Sequence, residues 1–209
     1  MSEPHGMLIV LSGPSGSGKG TIIKQLLQSR EDTVLSISIT TRQPRPGEIE
    51  GVHYFFRTRE EFEQKITDNA LLEYAEYNGN YYGTPEDAIR EWLSQGTNVL
   101  LEIEVQGAEQ VMNHRSDLVS IFITIPSMKE LERRLRDRGT EDEEKICGRM
   151  AVARRELTRA FRYDYVVLND EVELAVQRIN TIIDAEKMRY ARMENYVMEV
   201  LEDAETNRY

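Results

Sequence analysis

Residues 11–21 read LSGPSGSGKGT, directly after the apolar run MLIVL. Four glycines and a proline around one lysine force an order on the chain: a buried strand, a tight loop, then a helix. Gly13, Gly18 and Lys19 fit the start of the pattern G-x-x-x-x-G-K-[ST], with Gly20 in the hydroxyl position and Thr21 one residue later. Glycines let successive backbone N–H groups turn inward as an anion-binding nest, and the helix N-terminus adds its positive end. The lysine supplies a mobile point charge to the outer phosphates of a nucleotide. Gly13, Pro14, Ser15, Gly16, Ser17, Gly18, Lys19, Gly20 and Thr21 are therefore the candidate phosphate-loop residues.

The chain has 209 residues, 40% hydrophobic and 30% charged, which fits one compact soluble domain. No run approaches the roughly 18 apolar residues that a membrane span needs, and the N-terminus has no signal-peptide pattern. The single cysteine, Cys147, excludes an internal disulfide and suits a reducing, cytoplasmic setting. A formal net charge of −11 argues against nucleic acid or membrane surfaces as partners. It leaves room for small phosphorylated ligands, which need only local positive charge. That charge is concentrated in TTRQPRPGEIEGVHYFFRTR and KELERRLRDR.

Five runs rich in Val, Ile and Leu read as buried strands: 7–12, 34–38, 98–105, 118–125 and 165–169. Helical patterns separate several of them. TPEDAIREWLSQG places Thr84 as N-cap and Pro85 at the first helical position, closing on Gly96. SMKELERRLRDRG and TEDEEKICGRMAVARREL each open on a capping box. Residues 172–201 form one long amphipathic pattern. Strands alternating with helices predict an α/β fold, a five-stranded parallel sheet covered on both faces. Residues 39–83 break the rhythm with PRPGE, a capped helix TREEFEQKI and a turn at Asn78–Gly79, and read as an inserted mixed lobe.

Within that lobe Arg42 and Arg45 lie three residues apart between prolines that stiffen the backbone. Two guanidiniums held so can grip one phosphate by forked hydrogen bonds, with Tyr54 and Tyr82 as phenolic donors. An isolated basic loop would look the same. Arg134 and Arg138 share a helical face at i, i+4, and Arg149 follows on the next helix. A phosphate loop without an arginine of its own needs such charge over the transferring group, and an ordinary charged helix is the other reading. Phosphate sites on both sides predict phosphoryl transfer between two phosphorylated molecules. A phosphate acceptor is already anionic, so no general base is required. His5, His53 and His114 form no catalytic pair and no metal-ligand spacing occurs.

GPSGSGKGT, SISITTRQPRPGEIEGVHYFF, LLEYAEYNGNYYGT, LLEIEVQGA, RLRDRGTEDEEKICGRM and YDYVVLND together resemble the guanylate kinase family, in order, from about residue 6 to 190. The resemblance implies transfer of the ATP γ-phosphoryl group to GMP, and dGMP with it, giving the diphosphate and ADP. Mg²⁺ is then held mainly through the nucleotide phosphates. It implies a P-loop kinase core (about 1–37, 84–127 and 160–209), a nucleotide-monophosphate-binding lobe (38–83) and a helical lid (128–159). Arg42, Arg45, Tyr54 and Tyr82 match the GMP-phosphate positions. Ser38, Glu73, Thr84 and Glu104 match positions contacting guanine, with Glu48 and Glu102 beside them. A carboxylate such as Glu73 suits guanine, which presents N1–H and N2–H₂ donors, and adenine lacks the first. Relatives usually carry aspartate where this chain has Glu104. Arg134, Arg138 and Arg149 match the lid arginines; with Lys19 and Arg42 they form the implied catalytic set. Asn169 matches a position near adenine.

Two other readings compete. One is a related phosphate-loop kinase acting on a different small phosphorylated acceptor. The other is a non-catalytic guanylate-kinase-like interaction module, but such modules have degraded loops, whereas this chain keeps Gly13, Gly18, Lys19 and all three arginines. The oligomeric state stays open, a homo-oligomer included.

Overall fold

The computed structural model describes residues 6–77, 79–137 and 142–207. The chain begins with β1 (Leu8–Ser12), α1 (Lys19–Ser29) and β2 (Thr33–Leu35). An excursion follows through β3 (Ile39–Thr40), β4 (Phe55–Phe56), α2 (Arg59–Thr67), β5 (Leu71–Tyr77) and β6 (Asn80–Pro85). The chain then returns as α3 (Glu86–Ser94), β7 (Asn98–Glu102), α4 (Val105–His114) and β8 (Leu118–Thr124). Two charged helices, α5 (Met128–Asp137) and α6 (Glu143–Leu157), precede β9 (Tyr165–Leu168), α7 (Val172–Lys187) and α8 (Tyr190–Asn207).

The central sheet has strand order β2-β7-β1-β8-β9, every pair parallel, with Leu8 opposite both Val99 and Leu118. Period-two alternation sorts β1 cleanly. Ile9 and Leu11 join Ile22, Leu26, Ile179 and Ile183 under α1 and α7. Leu8 and Val10 join Ile89, Ala108, Val111 and Phe122 under α3 and α4. Each fully buried aliphatic side chain of this kind stabilises the fold by about 1.5–3 kcal/mol. With both faces covered, the only free place for a loop to meet a ligand is at the strand ends.

A second sheet, order β4-β3-β6-β5, mixes one parallel and two antiparallel pairings. Between Leu71 and Glu73 its register shifts, so Leu71 faces Pro85 while Glu73 faces Thr84. Such a bulge re-aims the side chain that follows it. α2 opens on a full capping box: the Thr58 hydroxyl accepts from the Glu61 amide, and Glu61 accepts from the Thr58 amide. Thr58→Ala is expected to cost about 1 kcal/mol in denaturant unfolding with activity retained. No measurable loss would show that tertiary packing alone holds α2.

Several boundaries differ from the sequence expectation. β2 stops at Leu35 because the chain leaves the sheet for the lobe after the Ser36 amide bonds Leu100 O at 2.9 Å. β7 stops at Glu102, and Glu104 becomes the N-cap of α4, a helix the sequence reading left out. Thr84 and Pro85 belong to β6, and Pro85 rather than Thr84 is the N-cap of α3. The cap of α6 is Asp142, whose carboxylate accepts from the Lys145 amide at 2.9 Å; Thr140 lies outside the described residues. Asn78 of the expected hairpin turn also lies outside them, while Gly79 has φ 73°. The long terminal pattern is two helices. Glu186, 3% exposed, accepts from the Tyr165 hydroxyl and pairs with Arg189 and Arg192 from beyond the break. Those contacts pin the turn at Met188.

Candidate active site

The loop between β1 and α1 is built as its glycines require. Gly13 has φ 147°, and a Cβ there would lie 2.2 Å from Ile123 O. Gly18 has φ 90° and a Cβ would lie 2.4 Å from Asn169 Nδ2, so neither position accepts a side chain. Lys19 folds back across the loop, donating to Gly13 O at 2.6 Å and Pro14 O at 3.3 Å. The residue is 9% exposed. From below, Asn169 (2% exposed) donates to Ser17 O at 2.6 Å. The structure thus uses Asn169 to brace the loop.

A cavity of about 380 Å³ opens over this loop, lined by Ser15, Gly16, Gly18, Lys19, Gly20, Thr21, Glu102 and Glu104. Nothing lies within 4 Å of a Cβ at Gly20, which leaves the backbone there open to a ligand. A larger hollow of about 600 Å³ lies between Asp68–Ala70 and α3. It carries Glu86, Asp87 and Glu91 against the single cation Arg90, the wrong charge for phosphate.

In the lobe, Arg42 sits in a fork from Glu48, with N–H···O distances of 3.0 and 2.8 Å, and also donates to Gln43 O. Glu48 accepts in addition from the Arg45 amide at 2.7 Å, which ties the two halves of PRPGE together. The Arg42 guanidinium holds the Glu48 carboxyl down at about 2, helped by that amide. Arg42 lies 5.5 Å over the Tyr54 ring, and Tyr54 meets Tyr82 edge to face at 6.1 Å. The Arg45 side chain is exposed beside them, and Ser38 lies just before β3, its carbonyl accepting from the Phe55 amide.

Glu73 is the buried acid of the lobe. The bulge turns it onto Thr84, whose hydroxyl donates to Oε1 at 2.6 Å. Its other oxygen would lie 2.9 Å from a Cβ at Gly107, so a side chain in that first turn of α4 would push the carboxylate aside. Burial raises the Glu73 pKa, and the Thr84 hydrogen bond opposes the rise.

Glu102 and Glu104 lie at the mouth of the same cleft, on the phosphate-loop side. Glu102 is open to the cavity, yet the cavity walls desolvate it and raise its pKa. Lys19 pulls the other way and Glu104 adds to the rise. Glu102 also acts electrostatically on Tyr54. Glu102 is therefore the carboxylate that couples the loop to the arginine cluster.

Of the three helical arginines, Arg134 reaches the loop. It donates to Asn169 O at 3.0 Å and Ser17 O at 3.5 Å, and is steadied by Glu130 at 2.8 Å. Arg149 is half-buried on α6, and Arg138 lies outside the described residues. α5 and α6 share a small core of Leu131, Leu135, Ile146 and Ala153. Cys147 is exposed on α6.

Sequence reasoning missed Glu156, in the last turn of α6. It faces the Ser15 amide, its pKa raised by burial and Glu104 and lowered by Lys19 and that amide. Its Oε2 is buried without a hydrogen-bond partner among the described residues. One glutamate in a charged helix carries no local signal for this role.

A five-stranded parallel sheet with a lysine-bearing phosphate loop at the end of β1, a mixed-sheet lobe and a helical arm define a phosphate-loop kinase fold. The family profile described as guanylate kinase matches residues 5–186. Guanylate kinase of Desulfitobacterium hafniense is 53% identical over 192 residues, covering 92% of this chain and 96% of that protein. That of Oceanobacillus iheyensis is 49% identical over 203 residues, covering 97% and 98%. The crystal structure of guanylate kinase from Anaplasma phagocytophilum superposes with a TM-score of 0.73 at 38% identity, covering 92% of each chain. The chain belongs to the guanylate kinase family.

Proposed function

We infer that this chain transfers the γ-phosphoryl group of ATP to GMP, giving ADP and GDP. The observation that carries the residue assignment is the position of Glu102. It lines the phosphate-loop cavity beside Glu104 and acts electrostatically on Tyr54 of the arginine cluster, which supports two anion sites in one cleft.

The ATP phosphates lie on the backbone from Ser15 to Thr21, and Lys19 leaves the Gly13 and Pro14 carbonyls to meet them. GMP presents its phosphate to Arg42, Arg45, Tyr54 and Tyr82. Glu48 occupies one edge of Arg42 and fixes the direction of its remaining N–H donors. Guanine lies on Glu73 and Thr84, with Ser38 and Glu104 at its rim. The acceptor oxygen is already ionised, so positioning and charge stabilisation do the chemistry without a base. Arg134, Arg138 and Arg149 add positive charge over the transferring group, and Asn169 keeps the loop in shape.

Among the described residues no three His, Cys, Asp or Glu side chains converge as a metal cage. Mg²⁺ asks for none, since it keeps several waters and takes one or two protein oxygens beside nucleotide phosphates. The Thr21 hydroxyl and Glu102 carboxylate, both on the cavity, fit that donor set. Held there, Mg²⁺ would neutralise charge on the nucleotide phosphates.

A coupled assay of ADP release is the test. GMP and dGMP should support turnover, and AMP and UMP should fall at least a hundredfold behind in kcat/KM. Equal use of AMP would overturn the guanine assignment, and preference for a phosphorylated non-nucleotide would replace the acceptor class altogether.

A further inference from the structure

Among the described residues, Ser17, Asn169 and Glu156 each hold a buried side-chain oxygen with no hydrogen-bond partner, and all three lie in or against the phosphate loop. Buried polar atoms are paired almost everywhere in folded proteins, so exceptions gathered at one loop call for a functional cause. Glu156 is the acid of the three, and an unpaired carboxylate oxygen costs more than an unpaired hydroxyl or amide. It stands in the last turn of α6 beside Leu157. Leu157 packs both against the core under α3 and α4 and against the small core shared by α5 and α6. That double anchorage fixes the point from which the Glu156 side chain reaches the loop.

The carboxylate faces the Ser15 amide and lies within electrostatic reach of Lys19 and Glu104. Ser15 lines the phosphate-loop cavity together with Gly16, Gly18, Lys19, Gly20 and Thr21. In a nest of this kind the backbone N–H groups are the donors that hold an anion. Glu156 therefore presents its own anion to an amide and an ammonium that the phosphates of a nucleotide also need. One of its oxygens is left without a partner, so the contact does little for the stability of the fold. Resting on the kinase reading above, we propose that Glu156 sets the affinity of the donor site. In the nucleotide-free protein its carboxylate stands at the Ser15 end of the loop in place of a phosphate oxygen, and the donor's polyphosphate binds in competition with it. The same repulsion acts on the diphosphate product and favours its release. GMP is placed on the lobe, so the competition is confined to the donor. Glu156 is thus a positioning residue, acting through the loop.

Calorimetric titration of the full chain with ATP and with inorganic tripolyphosphate, both without divalent ions, reads the competition directly. Glu156→Gln keeps the size of the side chain and removes its charge. It should bind both ligands about tenfold more tightly, with GMP affinity within about twofold of the parent protein's. In turnover the KM for ATP should fall while that for GMP holds. A merely structural role would give the opposite, since a loosened loop raises the donor KM. Glu144→Gln removes the same charge from the exposed first turn of α6 and should leave polyphosphate binding unchanged. Glu156→Asp withdraws the carboxylate by one methylene and should bind tripolyphosphate more tightly than the parent but less tightly than Glu156→Gln. It carries the test alone if Glu156→Gln does not fold. Polyphosphate affinity at or below the parent's, equal tightening toward GMP, or equal tightening by Glu144→Gln would each overturn the proposal. A parent protein that binds no tripolyphosphate would remove the phosphate-loop reading itself, and the proposal with it.

Discussion

Replacing Lys19 with alanine is expected to lower kcat by roughly 10²- to 10³-fold while GMP affinity stays close to that of the parent protein. Lys19 is a buried residue that borders the cavity, its ammonium 2.6 Å from Gly13 O. Enclosure removes competing water, so its charge acts at short range on the phosphoryl group as negative charge shifts toward the leaving oxygen. In the proposed arrangement GMP is held by the lobe and not by the phosphate loop, so its binding should be spared. The variant also loses two hydrogen bonds to loop carbonyls, so thermal unfolding must be measured alongside turnover. A folded Lys19→Ala protein with near-normal kcat would remove the phosphate-loop assignment.

Glu73→Gln should pull function and stability in opposite directions. The amide keeps the size of the carboxylate and can still accept from Thr84, but it turns N–H donors toward guanine's own donors and gives up the charge. Hydrogen bonds to charged groups are worth roughly 1.5–3 kcal/mol, so kcat/KM for GMP should fall on the order of ten- to a hundredfold. ATP affinity should hold, and discrimination against AMP should shrink. Without ligand, the sign reverses. Burial raises the Glu73 pKa in the folded state, so its contribution to stability is present at low pH and is lost as pH rises through that raised value. Glu73→Gln should therefore resist denaturant better than the parent protein at neutral pH, and the gap should close in acid. An unchanged GMP-to-AMP ratio would shift base recognition to Ser38, Thr84 and Glu104. A parent protein more stable than the variant at neutral pH would mean that ionised Glu73 is well solvated.

The phosphate loop is legible because all of its determinants are local: an apolar strand, glycines where φ is positive, and a helix that starts at the lysine. The lobe is legible as a break in rhythm. Glu73 is different, since its aim depends on a register shift against β6, and only the family resemblance marked it. α4 was hidden because the alternation of NVLLEIEV runs on to Val105, and because Gly107 weakens the helical pattern. That glycine answers to the Glu73 carboxylate, a contact across more than thirty residues of chain. The break between α7 and α8 is likewise tertiary: the apolar spacing continues through it, and Glu186 with its three partners decides where it falls. Glu156 is beyond sequence reading for the same reason.

Cys147 is the chain's one thiol, exposed on α6, and Trp92 is its one indole, exposed on α3. The protein therefore arrives with a built-in optical ruler. A single maleimide dye attaches at one defined point on the helical arm, and ultraviolet light excites a single donor on the body. Any swing of α6 relative to α3 changes the transfer between them. Rate constants for the arm can thus be followed in stopped flow as each nucleotide is added, on the wild-type polypeptide, without introducing a label site by mutation.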